Sequence, residues 1–349
     1  MMLILGIESS CDETAAALVQ DGRIVLSNVI ASQVKTHSSF GGVVPELASR
    51  EHLRNIGYVV RQAFLDAGRE YDDIDGIAVT QGPGLIGSLL VGVSFAKAMA
   101  FSKKKILVPV NHVEGHIYSA FIENPEIEYP LLALVVSGGH TSLIFSPEPG
   151  HYESVGKARD DAAGEALDKL SKFLGLGYPG GPIIDRLALE GDPGRFAFSI
   201  PKISDGSLDF SFSGFKTAAL RHIREHGIKP RRSGGKISRR ILDLVTSYQQ
   251  AIVSTLVSQT QKAETRLHPR SILLVGGVAC NTHLRKAFKL TFEEKRKSLE
   301  GAAPVPVYYP SPVLTTDNAA MIAAAGTYYF NRHPSLDLDL NAYADFRLC

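Results

Sequence analysis

Short apolar runs alternate with amphipathic stretches along the whole chain, the pattern of α/β domains. Leu3 to Glu8 and Ala15 to Gln20 predict two strands about a polar turn, and Ile24 to Ser32 predicts a third. A stripe of Leu47, Ile56, Val59, Val60 and Phe64 predicts a helix over Pro45 to Ala67. Ile74 to Thr80 reads as a strand entering Gln81-Gly-Pro-Gly84, a loop that opens a helix from Ser88 to Phe101. Ile106 to Pro109 is a strand leading to the segment Asn111 to Phe121. The pattern then restarts, with Leu131 to Ser137 and Thr141 to Ser146 as strands about a Gly-containing turn. Asp160 to Leu174 predicts a helix stopped by Gly175, and the rigid turn Tyr178-Pro-Gly-Gly-Pro182 precedes another from Ile183. Ile241 to Leu267 and Asn281 to Phe288 predict helices, Ser271 to Val275 and Pro304 to Tyr309 strands, and Asp317 to Phe330 a small-residue helix. Two halves that each open on a hairpin imply a duplicated domain with the site between them.

Composition narrows this picture. The 349 residues fit two domains, and 44% hydrophobic content supplies two cores and excludes disorder. Uninterrupted apolar runs such as Ile272 to Val275 and Leu131 to Val136 fall far short of the ~20 residues of a membrane helix, so a soluble chain is expected. Cys11, Cys280 and Cys349 are too few for a disulfide framework and too far apart for C-x-x-C, which points to a reducing compartment. Met1 to Glu8 reads as a strand without the basic start of a targeting peptide, and the bacterial cytoplasm is the expected location.

The net charge of +1 conceals a strongly basic segment, Lys216 to Arg240, with nine Lys/Arg against the single acid Glu225. Arg285 to Lys297 adds six basic residues against Glu293 and Glu294. Such runs are either solvated faces or footprints for a phosphate backbone.

Four turns could approach phosphate through backbone amides and hydroxyls: Glu8-Ser-Ser-Cys-Asp-Glu-Thr14, Ser137-Gly-Gly-His-Thr141, Pro179-Gly-Gly-Pro182 and Gly276-Gly-Val-Ala-Cys-Asn281. Any one is weak, because hairpins use Gly for positive φ alone; together they describe a nucleotide cleft. His112 and His116 stand one helical turn apart, a metal-ligand spacing, but His222 and His226 share it. The first pair follows a strand and is favoured as ligands; the second lies in the basic run and reads as a surface or nucleic-acid feature. Asp317 is the best-placed third ligand, with an N-cap as its alternative role. A zinc peptidase of the H-E-x-x-H kind needs Glu directly after the first His, where this chain has Val113; Glu114 lies round the helix, away from the metal. Asp168 and Asp185 bracket the Pro-Gly-Gly-Pro turn and suit ribose or amine groups, while Cys11 and Cys280 read as packing residues rather than nucleophiles.

Gly6-Ile-Glu-Ser-Ser-Cys-Asp-Glu-Thr14, Gly41-Gly-Val-Val-Pro-Glu-Leu-Ala-Ser-Arg50, Gln81-Gly-Pro-Gly84, Asn111-His-Val-Glu-Gly-His116, Val136-Ser-Gly-Gly-His-Thr141 and Phe210-Ser-Phe-Ser-Gly214 strongly resemble the TsaD family. So do Gly276 to Asn281 and Thr316-Asp-Asn318, and the match runs in order from about Leu3 to Phe330, in the style of the bacterial and organellar branch. The resemblance implies an α/β fold of two actin-like (ASKHA, ribonuclease H-like) domains with a cleft between them, residues 1–128 with 322–349 and residues 129–321, the second carrying the basic insertion. It implies transfer of a threonylcarbamoyl group from threonylcarbamoyl-adenylate to N6 of adenosine 37 in tRNAs reading ANN codons, releasing AMP. Implied partners are tRNA, TsaB-like and TsaE-like proteins and a TsaC-type enzyme that makes the adenylate, with no membrane and with dimerisation open. His112, His116 and Asp317 match the ligands of one divalent ion, Fe2+ or Zn2+; Val135, Val136, Ser137, Gly138, Gly139, Asp168, Gly181, Asp185 and Asn281 match substrate-binding positions. The catalytic base is unassigned. Asn111 stands where some members have a further His, and Lys229 to Ser238 is enlarged. An actin-like sugar kinase or ATPase would share the turns but needs no His pair, and a non-catalytic scaffold like the TsaB paralogue would lack the three ligands.

Overall fold

A computed structural model describes residues 1–201, 203–231, 235–294, 304–330, 332 and 338–349. The chain divides into two compact units, Met1–Glu126 with Pro310–Cys349, and Ile127–Tyr309. The return to the first unit therefore falls at Pro310 rather than at 322. Its cause is local: Ser311 N donates to Glu123 Oε2 at 2.7 Å, tying the returning chain to the first unit before Asp317 is reached.

In the first unit β1 (Leu3–Glu8), β2 (Glu13–Gln20) and β3 (Ile24–Ser32) form an antiparallel meander, and β4 (Gly76–Gly82) and β5 (Ile106–Asn111) continue it in parallel, in the order β3-β2-β1-β4-β5. Every residue of β1 is buried, because the sheet is covered on both faces. Leu5, Ile7 and Leu18 pack with α2 (Pro45–Ala67) and α3 (Ile86–Lys103). Ile4, Ala17 and Val19 pack with α4 (His112–Glu123) and α11 (Ala319–Phe330). The small-residue sequence of α11 permits unusually close approach: a Cβ on Gly6 would run into Ala319 O, and one on Gly326 into Ala78 Cβ. This contact fixes the start of α11 against the sheet.

Among the described residues one helix, α3, is long and apolar enough to cross a bilayer. Counting unbroken apolar runs overlooks it because Ser88, Ser94 and Lys97 interrupt the stretch. In the fold it packs on α2 and β4, burying Leu89, Val93, Ala96 and Ala100.

The second unit repeats the topology. A meander of β6 (Leu131–Val136), β7 (Thr141–Ser146) and β8 (Glu153–Lys157) is extended in parallel by β9 (Ser271–Val275) and β10 (Val307–Tyr308), in the order β10-β9-β6-β7-β8. Its helices are α5 (Ala163–Phe173), α6 (Gly180–Leu187), α7 (Ser213–Glu225), α8 (Arg239–Leu267) and α9 (Thr282–Phe288). A core of Phe210, Phe212, Phe215, Tyr248, Leu274 and Phe288 binds them to the sheet. Strand β8 and helix α7 went unread in the sequence: β8 buries only Gly156 of its five residues, and the charges of α7 mask its apolar face of Phe215 and Ala219.

Candidate functional site

The first unit builds its site where β5 runs into α4. Asn111 caps that helix, its Oδ1 accepting from Val113 N at 2.9 Å and Glu114 N at 3.3 Å, while its Nδ2 donates to Phe346 O at 2.8 Å. The cap orients the first turn, so His112 and His116 present their rings one above the other, centroids 4.8 Å apart at 81°. Asp317 meets them from the segment between α10 (Pro312–Thr315) and α11. It is not an N-cap. That role belongs to Asn318, whose Oδ1 accepts from Met321 N at 3.1 Å, and α11 begins at Ala319 rather than at Asp317.

Asp317 Oδ1 lies 3.1 Å from His116 Nε2 and 3.7 Å from His112 Nε2. Donors about 2.1 Å from a tetrahedral ion stand roughly 3.4 Å from one another, so the three atoms have the spacing of ligands. Both ring nitrogens of His116 are buried without a hydrogen-bond partner, which is costly unless something else uses the lone pair. A divalent ion would satisfy Nε2, the nitrogen that faces Asp317, and a borderline metal suits two imidazoles and a carboxylate.

Behind His112 sits a support that the sequence reading assigned to a phosphate turn. Glu8 is fully buried at the end of an otherwise apolar strand. Its Oε2 is 3.1 Å from His112 Nδ1 and accepts from Thr80 Oγ1 at 2.7 Å, and its Oε1 accepts from Ser10 N at 2.5 Å. Ser10 Oγ lies 3.1 Å from the same His nitrogen. A carboxylate on Nδ1 directs the Nε2 lone pair outward, the usual way a metal-binding His is oriented. The signal for this role was present in the sequence as one acid ending a strand whose other residues are apolar. In the ion-free site burial opposes charge on His112, but Glu8 and Asp317 outweigh it and raise the imidazole to about 9. Burial pushes Glu8 up, yet His112 and the Thr80 hydroxyl bring it below the ordinary carboxylate range.

Acidic groups crowd the rest of the β1–β2 turn, and the crowding keeps some of them protonated. Burial, with Asp12 and Asp317 nearby, pushes Glu13 up to about 10 and drives the Cys11 thiol well above its usual range, consistent with a packing role for Cys11. His52 of α2 steadies the turn by donating from Nε2 to Cys11 O at 2.9 Å, with Thr14 Oγ1 2.8 Å from its Nδ1. Glu114 turns away from the ligands and accepts from Tyr329 OH at 2.6 Å.

The other three turns lie in the second unit and join into one rim. Ser137 N donates to His140 O at 2.8 Å to close the β6–β7 turn, leaving Gly138 and Gly139 exposed with open space where a Cβ would stand. The start of α5 presses on this turn so closely that a Cβ on Gly164 would lie 2.5 Å from Ser137 O. Gly276, at φ +89°, passes Val136 O, which a Cβ would meet at 2.6 Å. Asp168 Oδ1 accepts from Gly180 N at 2.6 Å, holding the start of α6 with the half-buried Gly181 beside it. Asp185 accepts from Thr282 N at 2.9 Å and from Gln249 Nε2 at 3.2 Å, and Asn281 Nδ2 donates to Gln249 Oε1 at 2.8 Å. Gln249, unremarked in the sequence, is thus the link between Asp185 and Asn281. Val135 and Val136 are fully buried strand residues, so their contribution to a ligand is through the backbone.

The basic segment is less uniform than its composition suggests. Arg231 Nε donates to Gly235 O at 2.7 Å, Arg239 pairs with Asp243 at 2.9 Å, and Arg285 stacks 4.4 Å over Tyr309 while donating to Ala279 O. Arg221, Arg224, Lys229 and Lys236 are exposed. Arg232 and 295–297 lie outside the described residues.

Two five-stranded sheets of the same order, one with a His/His/Asp centre and one with a Gly-rich rim, define an actin-like α/β protein of the ASKHA class. Solved structures share this fold: T. kodakarensis HypF superposes with a TM-score of 0.59 at 13% identity, over 95% of this chain and 48% of that one. Component A of the Acidaminococcus fermentans (R)-2-hydroxyglutaryl-CoA dehydratase gives 0.54 at 13% identity, over 95% and 99%. The family described as TsaD: tRNA N6-adenosine threonylcarbamoyltransferase matches residues 24–324, and the tRNA N6-adenosine threonylcarbamoyltransferase of Syntrophus aciditrophicus (strain SB) is 50% identical over 347 residues, 99% of this chain and 98% of its own. The chain belongs to the TsaD family of tRNA-modifying transferases.

Proposed function

We propose that this chain transfers the threonylcarbamoyl group from threonylcarbamoyl-adenylate to N6 of adenosine 37 in tRNAs reading ANN codons, releasing AMP. The observation that carries the reading is the convergence of His112, His116 and Asp317 in a chain of this family, with buried His116 nitrogens that lack hydrogen-bond partners. These three residues would hold Fe2+ or Zn2+. When bound, such an ion supplies Lewis-acid polarisation of a substrate oxygen. Glu8 keeps the proton of His112 on Nδ1, so that Nε2 faces the centre.

The adenylate is assigned to the second unit. Gly138 and Gly139 offer backbone amides, Gly181 lies at the positive end of α6, and Asp168, Asp185 and Asn281 hold the rim in register for phosphate and ribose. The mixed anhydride is already activated, so these residues orient the carbamoyl carbon and hold AMP as it leaves. The exposed cations of the Lys216 to Arg240 segment would contact tRNA phosphates. TsaB-like and TsaE-like partners, a TsaC-type source of the adenylate and a cytoplasmic location complete the reading. A kinase would account for the rim and leave the His/His/Asp centre unexplained.

Protein supplied with those partners, tRNA, threonine, bicarbonate and ATP should yield threonylcarbamoyladenosine by mass spectrometry of digested tRNA. Unmodified tRNA from complete mixtures, together with sugar phosphorylation or glycoprotein cleavage by the protein alone, would overturn the assignment.

A further inference from the structure

The second unit carries another group of convergent donors. His222, Glu225 and His226 occupy successive positions on one face at the C-terminal end of α7, and one ligand atom from each lies within 4.8 Å of the others. Spacing alone is weak evidence, since paired histidines on a helix are common. The hydrogen bonds are more informative. His222 Nε2 lies 3.0 Å from Ala197 O, and His226 Nδ1 lies 3.1 Å from His222 O. A carbonyl oxygen can only accept, so each of these nitrogens carries the ring proton, and the remaining nitrogen of each neutral ring keeps its lone pair. On His222 that nitrogen, Nδ1, is buried with no hydrogen-bond partner. An imidazole whose N–H is fixed on a backbone carbonyl while its other nitrogen awaits a partner is the arrangement of a metal-ligating His.

We propose that His222, Glu225 and His226 form a second metal site, distinct from the His112 centre, that takes a borderline divalent transition-metal ion of the zinc class. Packing holds the first ligand in place: the His222 ring lies edge-on to Phe196 at 5.3 Å and Phe198 at 5.2 Å, and His226 to Phe196 at 5.2 Å. The helix C-terminus favours a cation, and Glu225 supplies the one negative charge among Arg221, Arg224 and Lys229. Those cations, and the exposure of Glu225 and His226, make the site weaker than the His112 centre. Two imidazoles and a carboxylate leave coordination positions open, in a segment assigned on other grounds to tRNA phosphates.

The test is Zn2+ titration of the chelator-stripped, untagged full chain against a chromophoric competitor. Wild type should bind two equivalents, the weaker of which disappears in His222→Ala/His226→Ala and weakens by about tenfold or more in Glu225→Gln. The tighter equivalent should disappear in His116→Ala, which separates failure of this site from failure of the first. His226→Gln, which alters only an exposed ring, serves if the double variant does not fold. A single equivalent in wild type, or a second that survives these substitutions, would overturn the proposal.

Discussion

The two units share one topology but furnish their hairpin turns with different chemistry. In each, the first strand of the meander ends in a hairpin turn, β1 into β2 and β6 into β7. The first turn is built from side chains: Glu8, Asp12 and Glu13 bring acidic groups to it, Ser10 adds a hydroxyl, and Glu8 reaches back to a histidine. The second is built from backbone: Gly138 and Gly139 carry nothing that would keep an anion from the amides. In the proposed function the same fold position therefore supports a cation site in one unit and a phosphate site in the other. Composition of the turn, not the fold, decides which.

Removing a ligand breaks this comparison most severely. His116→Ala or Asp317→Ala should lower the transfer rate on the order of 10²–10³-fold while unfolding stays cooperative, measured by initial rates and by thermal melts. Retained rates would detach the centre from the chemistry.

Next in size is the support of His112. Glu8→Gln should weaken Zn2+ binding by about 10–100-fold with the ligands untouched. The same ring sets a pH dependence. His112 is raised to about 9 in the ion-free chain, so a proton must leave when metal binds at neutral pH. Apparent affinity should therefore rise about tenfold per pH unit until pH nears 9, read from competition titrations. The sign is opposite for stability of the ion-free protein: a raised His pKa stabilises fully below about 6.5 and the contribution is lost as pH climbs towards 9. A flat affinity profile between pH 6.5 and 8.5 would contradict the pairing with Glu8.

On the phosphate side, Gly276→Ala should cost about 1–3 kcal/mol of stability by urea unfolding, since it places a Cβ at 2.6 Å from Val136 O at a positive φ. An unchanged midpoint would mean that the rim tolerates a side chain there. Smallest is the effect of Lys229→Glu with Lys236→Glu, both exposed, which should lower the salt slope of tRNA binding by roughly one unit per lost contact. Arg231 is a poorer probe, because its side chain also holds Gly235.

Much of this was legible in the sequence. The buried strands and the larger amphipathic helices followed from periodicity, and the repeated hairpin pointed to duplication. What escaped depended on contacts between distant residues. Nothing near Asp317 in sequence shows that Asn318 takes the cap and leaves its neighbour facing two histidines. Glu8 read as part of a phosphate turn because its partner His112 is 104 residues away, and Gln249 was invisible in the middle of a long helix until Asp185 and Asn281 met it. Helix α7 was hidden by its charge. In each case tertiary packing settled what local pattern left ambiguous.

Joint binding of one metal ion by His112, His116 and Asp317 underlies the function proposed for the first unit. Elemental analysis of untagged protein purified without chelator tests it most directly, comparing His226→Gln with His226→Gln/Asp317→Ala so that only the first unit's site is counted. About one equivalent of iron or zinc is expected in the former and its loss in the latter, with both chains folded. Equal metal content in the two would contradict it.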